Sequence, residues 1–245
     1  MLASQWNQVI AADLRKVLRE PFFWFIMIAP LLLAWGLREF LPYATGEYQN
    51  FDLPQYYPLI LALLILTAPL YYGMVLGLQV LEEKDEKVLL AVAVTPLQLH
   101  RYLAARIAMF TLISIPLIVL VHEIIDVIEI GMGRLIWVAL AASLNTPLMT
   151  LLLAAFAKNQ LEGFVMVKGL GFIILFPLAM FFVPAPWHLL CSVLPTYWPI
   201  MAYFTAAAEA GSVTFFYFDI VMAVVAQLLA TLLLYRKFAT GLLSS

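Results

Sequence analysis

The sequence predicts an all-α integral membrane protein with six transmembrane helices, and three observations carry that expectation. First, 65% of the 245 residues are hydrophobic and 11% are charged, against roughly 45–50% and 25% in an ordinary soluble domain. The mean hydropathy is +0.99. Such a chain has too few polar groups to cover its apolar surface in water, so lipid is its expected solvent. Second, six apolar stretches have about the 20 residues that cross a hydrocarbon core. Third, with both termini placed inside, all 13 Lys and Arg except Arg38 and Arg134 fall on the cytoplasmic side, the bias that orients membrane helices. The chain, residues 1–245, reads as a single transmembrane domain.

Residues 1–20 form the first expected element. Trp6, Val9, Ile10, Leu14, Val17 and Leu18 recur at helical spacing, and Asn7, Gln8, Asp13, Arg15, Lys16 and Arg19 fill the other face. This is the pattern of an amphipathic helix lying at the interface, with Trp6 at headgroup depth and Arg15, Lys16 and Arg19 in reach of anionic lipid heads. No cleavable signal is expected, because no small-residue cleavage site follows a short apolar core.

The spans are expected at about residues 21–37, 58–81, 102–121, 135–157, 163–183 and 213–235. Pro30, Pro116 and Pro177 fall within them as points of bending. Between the first two lies an outer loop, residues 38–57, with Glu39, Glu47 and Asp52. His122, Glu123, Asp126 and Glu129 make a short acidic turn that reads as solvated. Residues 184–212 carry Pro184, Pro186, Pro195 and Pro199 among Trp187, Tyr197, Trp198 and Tyr203. So many prolines cannot form one spanning helix. Short re-entrant outer helices with an aromatic belt are expected instead. Asn145 and Thr146, just before Pro147, are placed to satisfy backbone groups freed by a kink; Asp219 and Gln227 are polar groups able to meet a partner helix.

The densest charge run in the chain separates spans two and three. Glu82-Glu83-Lys84-Asp85-Glu86-Lys87 is followed by an apolar run from Val88 and by Thr95-Pro96. Glu83 and Lys87 are i,i+4 with the acid first, which supports a helix. Pro96 ends it. Residues 82–101 therefore read as a charged cytosolic segment carrying a short apolar knob, suited to docking on a soluble partner.

In this order the motifs resemble the permease subunit of an ABC transporter of the type-2 export class. Asp13-Leu14-Arg15-Lys16-Val17-Leu18-Arg19-Glu20-Pro21 is similar to that family's D-L-x-x-x-x-R-D-P entry into the first span. The acidic run, the apolar patch and Thr95-Pro96 resemble its coupling segment, E-x-E-x-G-T-L-E-x-L-L-x-T-P. Phe176-Pro177 and the Pro195 and Pro199 hairpin are similar as well. One departure stands out: Glu86-Lys87 occupy the place of the family's Gly-Thr.

The resemblance implies an exporter made of two permeases, identical or homologous, and two ATPase subunits that bind ATP and Mg. This chain has no Gly-x-x-x-x-Gly-Lys-Ser/Thr loop to cradle phosphates, so no cofactor and no catalytic residue is expected on it. Glu82, Glu83, Asp85 and Glu86 are then the polar rim that meets the ATPase, and Val88, Leu89 and Leu90 the apolar anchor inside that rim. The resemblance also implies a substrate path lined by spans one, two and five. The candidates are Tyr71, Tyr72, Met74, Gln79, Phe172 and Phe176. A set so rich in aromatic and sulfur-bearing side chains suits a hydrophobic or amphipathic drug, lipid or peptide. The implied location is the inner membrane of a prokaryote.

Other classes fit less of the chain. An intramembrane serine enzyme needs a paired nucleophile and base, and only His188 and Ser192 stand near one another in sequence. A zinc site lacks its ligands: His122-Glu123 is followed by no second His, and Cys191 is the single cysteine. A secondary transporter would show repeated halves and charges at mid-membrane. A non-transporting sensor or regulator linked to an ABC ATPase is the alternative function. With a net charge of -2 and no basic cluster, nucleic acid is not an expected partner.

Overall fold

A computed structural model describes residues 19, 21–48, 50–93, 99–183, 187–208 and 211–243. The chain runs through α1 (Pro21–Glu47), a 3-10 turn (Leu53–Tyr56), α2 (Tyr57–Asp85), α3 (Val88–Ala93), α4 (Leu99–Ile125), α5 (Met132–Ser143), α6 (Asn145–Phe156), α7 (Gln160–Phe182), a second 3-10 stretch (Trp187–Val193), α8 (Tyr197–Ala207) and α9 (Val213–Leu243). Among the described residues, five stretches are long and apolar enough to cross a membrane: Trp24–Glu47, Leu53–Asp85, Leu99–Ile125, Met132–Phe156 and Val213–Gly241. At 23 residues α7 is also of spanning length, although its side chains at 170–180 lie outside the described residues. The architecture is that of an all-α, multi-pass membrane protein.

α2 is the axis of the bundle. In its most apolar stretch 83% of the residues are buried within the chain, against 17% for α1 and 22% for α9. It packs against α6, α4, α7, α1 and α8. The closest approach is to α6, and glycine makes it. A Cβ at Gly73 would lie 2.6 Å from the Thr146 carbonyl oxygen and 2.7 Å from Met149 Cβ. Small residues let helices in lipid approach this way, and hydroxyls then bond across the seam. Thr146 donates to the Pro69 carbonyl and Thr150 to that of Gly73, both at 3.1 Å.

Three boundaries depart from the sequence expectation. The first helix does not stop near residue 37 but runs to Glu47, because Leu41 and Ala44 keep a buried face turned inward. Arg38, on the same helix, donates to the Ile124 carbonyl at the end of α4, at 3.2 Å. The fourth span is broken at Leu144. Pro147 has no N–H to continue the helical ladder, and Asn145 Nδ2 donates back to the Ala142 carbonyl at 2.9 Å. The last helix extends past Tyr235 to Leu243.

The proline-aromatic segment leaves and rejoins the same end of the bundle. At its start, Phe181 and Phe182 contact Tyr56, just before α2. At its finish, Ala206, Ala207 and Ala208 share a hollow with Glu129 of the α4–α5 turn and Arg134 of α5. Between these, Leu194, Pro195 and Thr196 line a cavity of about 310 Å³ beside Leu70, Met149 and Ala230, near the middle of α2. The stretch thus dips to mid-height and returns as α8.

Candidate functional site

The site is the charged end of α2, where the chain turns into α3. α2 stays helical through Asp85. Its reversal is made by Glu86, whose N–H donates to the Glu82 carbonyl at 2.9 Å, and Lys87, whose N–H donates to that of Lys84 at 3.1 Å. Lys87 has φ 59, the left-handed conformation in which helices usually place glycine. Its carbonyl then accepts from Ala91 N–H at 3.2 Å and starts α3. The family pattern has Gly-Thr where Glu86-Lys87 stand, so the left-handed residue here occupies the place of the Thr, one past that of the Gly, in a backbone that glycine alone adopts without strain. The chain turns here without a glycine.

Beneath the elbow lies a buried polar cluster. Gln79 and Glu83 share one face of α2, and Tyr102 and Arg106 share one face of α4, each pair four residues apart. Arg106 is fully buried and Glu83 is 6% exposed. Arg106 Nη1 donates to both carboxylate oxygens of Glu83, at 2.8 and 2.7 Å. It also reaches the Tyr102 hydroxyl at 3.0 Å, while Nη2 donates to Gln79 Oε1 at 3.1 Å. The Tyr102 hydroxyl donates to Glu83 at 3.3 Å, and its ring lies 5.0 Å under the guanidinium. A charge this far from water persists only when it is paired. Here both helices supply half of the pairing.

Two residues further on, Asp85 makes a second tie. Its Oδ2 accepts from Gln160 N–H at 2.9 Å, at the first turn of α7. That turn is capped in its own right: Asn159 Oδ1 accepts from Glu162 N–H, and Glu162 Oε2 from Lys158 N–H, both at 2.8 Å. A carboxylate at a helix N-terminus is favourable, since it meets unpaired N–H groups and the positive end of the helix dipole. The last turn of α2 is thus fastened to α4 through Glu83 and to α7 through Asp85.

These placements revise the expected surface. Glu83 does not belong to an outward rim; the helix carries on through it, so its side chain turns with Gln79 toward α4. Leu89 is fully buried against the chain's own core rather than presented as an anchor, and Val88 is half-buried. Asp85 and Glu86 are exposed and Glu82 is half-buried. The Leu90 side chain lies outside the described residues.

Gln79 is fully buried in the cluster and does not face a path. Tyr72 is buried edge-on against Phe110 of α4, ring centres 6.2 Å apart. Met74 is also buried, and Tyr71 is half-buried. The side chains of Phe172 and Phe176 lie outside the described residues, as do Trp6, Arg15 and Lys16; Arg19 is exposed.

Some polar groups elsewhere bond within the chain. Asp219 is buried and accepts from Thr205 Oγ1 at 2.9 Å. Gln227 Nε2 donates to the carbonyls of Ala141 and Ala223. At the other end of the bundle His122 departs from the solvated turn expected of it. It is 3% exposed, with Nδ1 3.4 Å from the Tyr203 hydroxyl. Glu123, Asp126 and Glu129 line a hollow beside it. Among the described residues no group of three His, Cys, Asp or Glu is placed to hold a metal.

The Arg106–Glu83 pairing escaped the sequence reading, which took Glu83 for surface. The signal was present: Arg106 is a lone base inside an apolar stretch, and such a group needs a partner on a neighbouring helix.

Comparison with known proteins places this sequence in a family. Residues 13–235 match the model of the Rv2686c-like family, described as fluoroquinolones export permease protein Rv2686c-like. The chain is similar to the fluoroquinolones export permease protein Rv2686c of Mycobacterium tuberculosis strain ATCC 25618 / H37Rv, with 32% identity over 201 residues and 80% of each chain covered. The protein of the same description in strain CDC 1551 / Oshkosh, MT2760, matches to the same extent. No solved structure matches the chain.

Proposed function

The chain belongs to the Rv2686c-like family of export permeases, and from that premise we propose that it is the membrane-spanning subunit of an ATP-driven exporter of amphipathic drugs. Fluoroquinolones, the compounds for which its relatives are described, are the first substrates to test. On this reading it pairs with a second permease, and ATP with Mg is hydrolysed on two copies of a separate ATPase subunit. The chain sits in a prokaryotic inner membrane with six spans and both termini in the cytoplasm.

The observation that carries the reading is that the family match, residues 13–235, takes in the whole elbow, an exposed turn at the tip of α2 that is fastened to α4 and α7. ATPase contact falls on Asp85, Glu86 and the exposed Ala91, with Glu82 at the edge. Glu83 acts from inside by holding the turn in place.

The test is co-expression with a candidate ABC ATPase subunit, followed by reconstitution in lipid. The complex is expected to co-purify and to hydrolyse ATP at least twofold faster when a fluoroquinolone is added. Glu86→Lys is expected to weaken co-purification about tenfold while the chain still inserts. An isolated chain that moves drug without any nucleotidase would end the proposal.

A further inference from the structure

An open-sided apolar groove of about 620 Å³ runs between α4, α6 and α9, and neither the elbow nor the re-entrant stretch uses it. Ala104, Ala108 and Leu112 form its α4 wall, all three exposed and four residues apart. Small side chains at the first two positions leave the space open. Pro147 of α6 and Leu232 of α9 close the other sides. His100 and Tyr235 stand at the charged end, where α4 begins and α9 approaches its finish.

Length and charge identify an occupant. From His100 to Leu112 the groove follows α4 for about 18 Å at 1.5 Å per residue. Half of a hydrocarbon core of about 30 Å is about 15 Å. The groove is therefore as deep as one leaflet, starts at the charged end, and is apolar along that depth. Its mouth is basic. Arg101 follows His100, Arg236 and Lys237 follow Tyr235, and all three bases are exposed. The first turn of α4 contains no acid, and neither does α9 beyond Tyr235. Basic pockets between membrane helices at this depth hold the phosphate of a lipid head.

We propose that this groove is a binding site for one anionic phospholipid of the leaflet at the charged end. One acyl chain lies along Ala104, Ala108 and Leu112, and the phosphate sits at His100, Arg101 and Arg236. The site is independent of ATP coupling and of the transported drug. It requires only that the charged end of the bundle lies at a bilayer surface.

The full chain, purified in detergent, is given a mixture of phosphatidylglycerol and phosphatidylcholine with matched acyl chains, and retained lipid is read by native mass spectrometry. One phosphatidylglycerol per chain is expected, favoured at least tenfold over phosphatidylcholine. Ala108→Trp, at an exposed position, is expected to reduce retention tenfold or more. Arg101→Gln with Arg236→Gln is expected to bring the two lipids to parity while an acyl chain is still held, which keeps the proposal testable if the tryptophan variant fails to fold. Equal retention of both lipids by the unmodified chain would overturn it. So would mole-for-mole displacement by a fluoroquinolone, which would make the groove a drug site. Loss of self-association in Ala108→Trp would overturn it too, by showing that a second copy covers the face.

Discussion

Lys87 shows how one residue fixes the direction of a turn. Its positive φ places it where a side chain costs roughly 1–2 kcal/mol relative to the right-handed backbone, and glycine removes that penalty. Lys87→Gly is expected to leave the elbow in place and raise the thermal midpoint of the purified chain by a few degrees. Lys87→Val is expected to lower it, because a β-branched residue tolerates this conformation least. A neutral result in both variants would mean that the turn is set by α3 packing alone. From sequence, Glu86-Lys87 stand in place of a Gly-Thr, so no glycine marks the turn. Nothing local to Lys87 announces a left-handed residue; the signal is the reversal between two helices, which only the packed structure supplies.

At the scale of elements, the informative pair is α2 and α4. The clamp between them consists of two i,i+4 pairs facing each other across a short connection. Removing one partner strands the other charge in an apolar site, whereas removing both leaves apolar surfaces to meet. Arg106→Leu and Glu83→Leu are each expected to destabilise the chain by about 3 kcal/mol. The double variant is expected to recover most of that loss, giving a coupling energy well above the few tenths seen for independent sites. Additive losses would mean that the pair is held by its surroundings rather than by itself.

Element legibility followed the source of each boundary. The cores of the spans were readable because apolar runs of spanning length have few other uses. The end of α1 was not, because Arg38 and Glu39 look like a loop until Leu41 and Ala44 are seen to be buried. The break at Leu144 was foreshadowed by Asn145-Thr146-Pro147, whose polar groups serve carbonyls on their own and a neighbouring helix. The buried character of Glu83 was hidden by its position inside a run of charges, where a solvated reading is the ordinary one.

For the whole molecule, the positive-inside bias sets which end of the bundle would meet the proposed ATPase. A chain with Cys191→Ser carries no thiol, so single cysteines report topology. A cysteine placed at Glu86 is expected to react with a membrane-impermeant maleimide only after the cell is opened. One placed at Glu129 is expected to react in intact cells. Reversed labelling would put the elbow outside and remove the case for ATP coupling, while leaving the helical bundle and the lipid groove as described. Composition made the class legible, and the base distribution supplies the orientation that this labelling tests. The path for drug was not, since Tyr72, Met74 and Gln79 are spent on internal packing, and aromatic composition alone cannot separate packing from lining.

Because α2 is tied at its tip to both α4 and α7, a push on α3 has no single helix to move. In the proposed exporter of two permeases the three would swing together as one lever. Spin labels at the charged tips of α2 and α4 would then keep one separation through a full turnover, even as equivalent labels on two copies draw together and part.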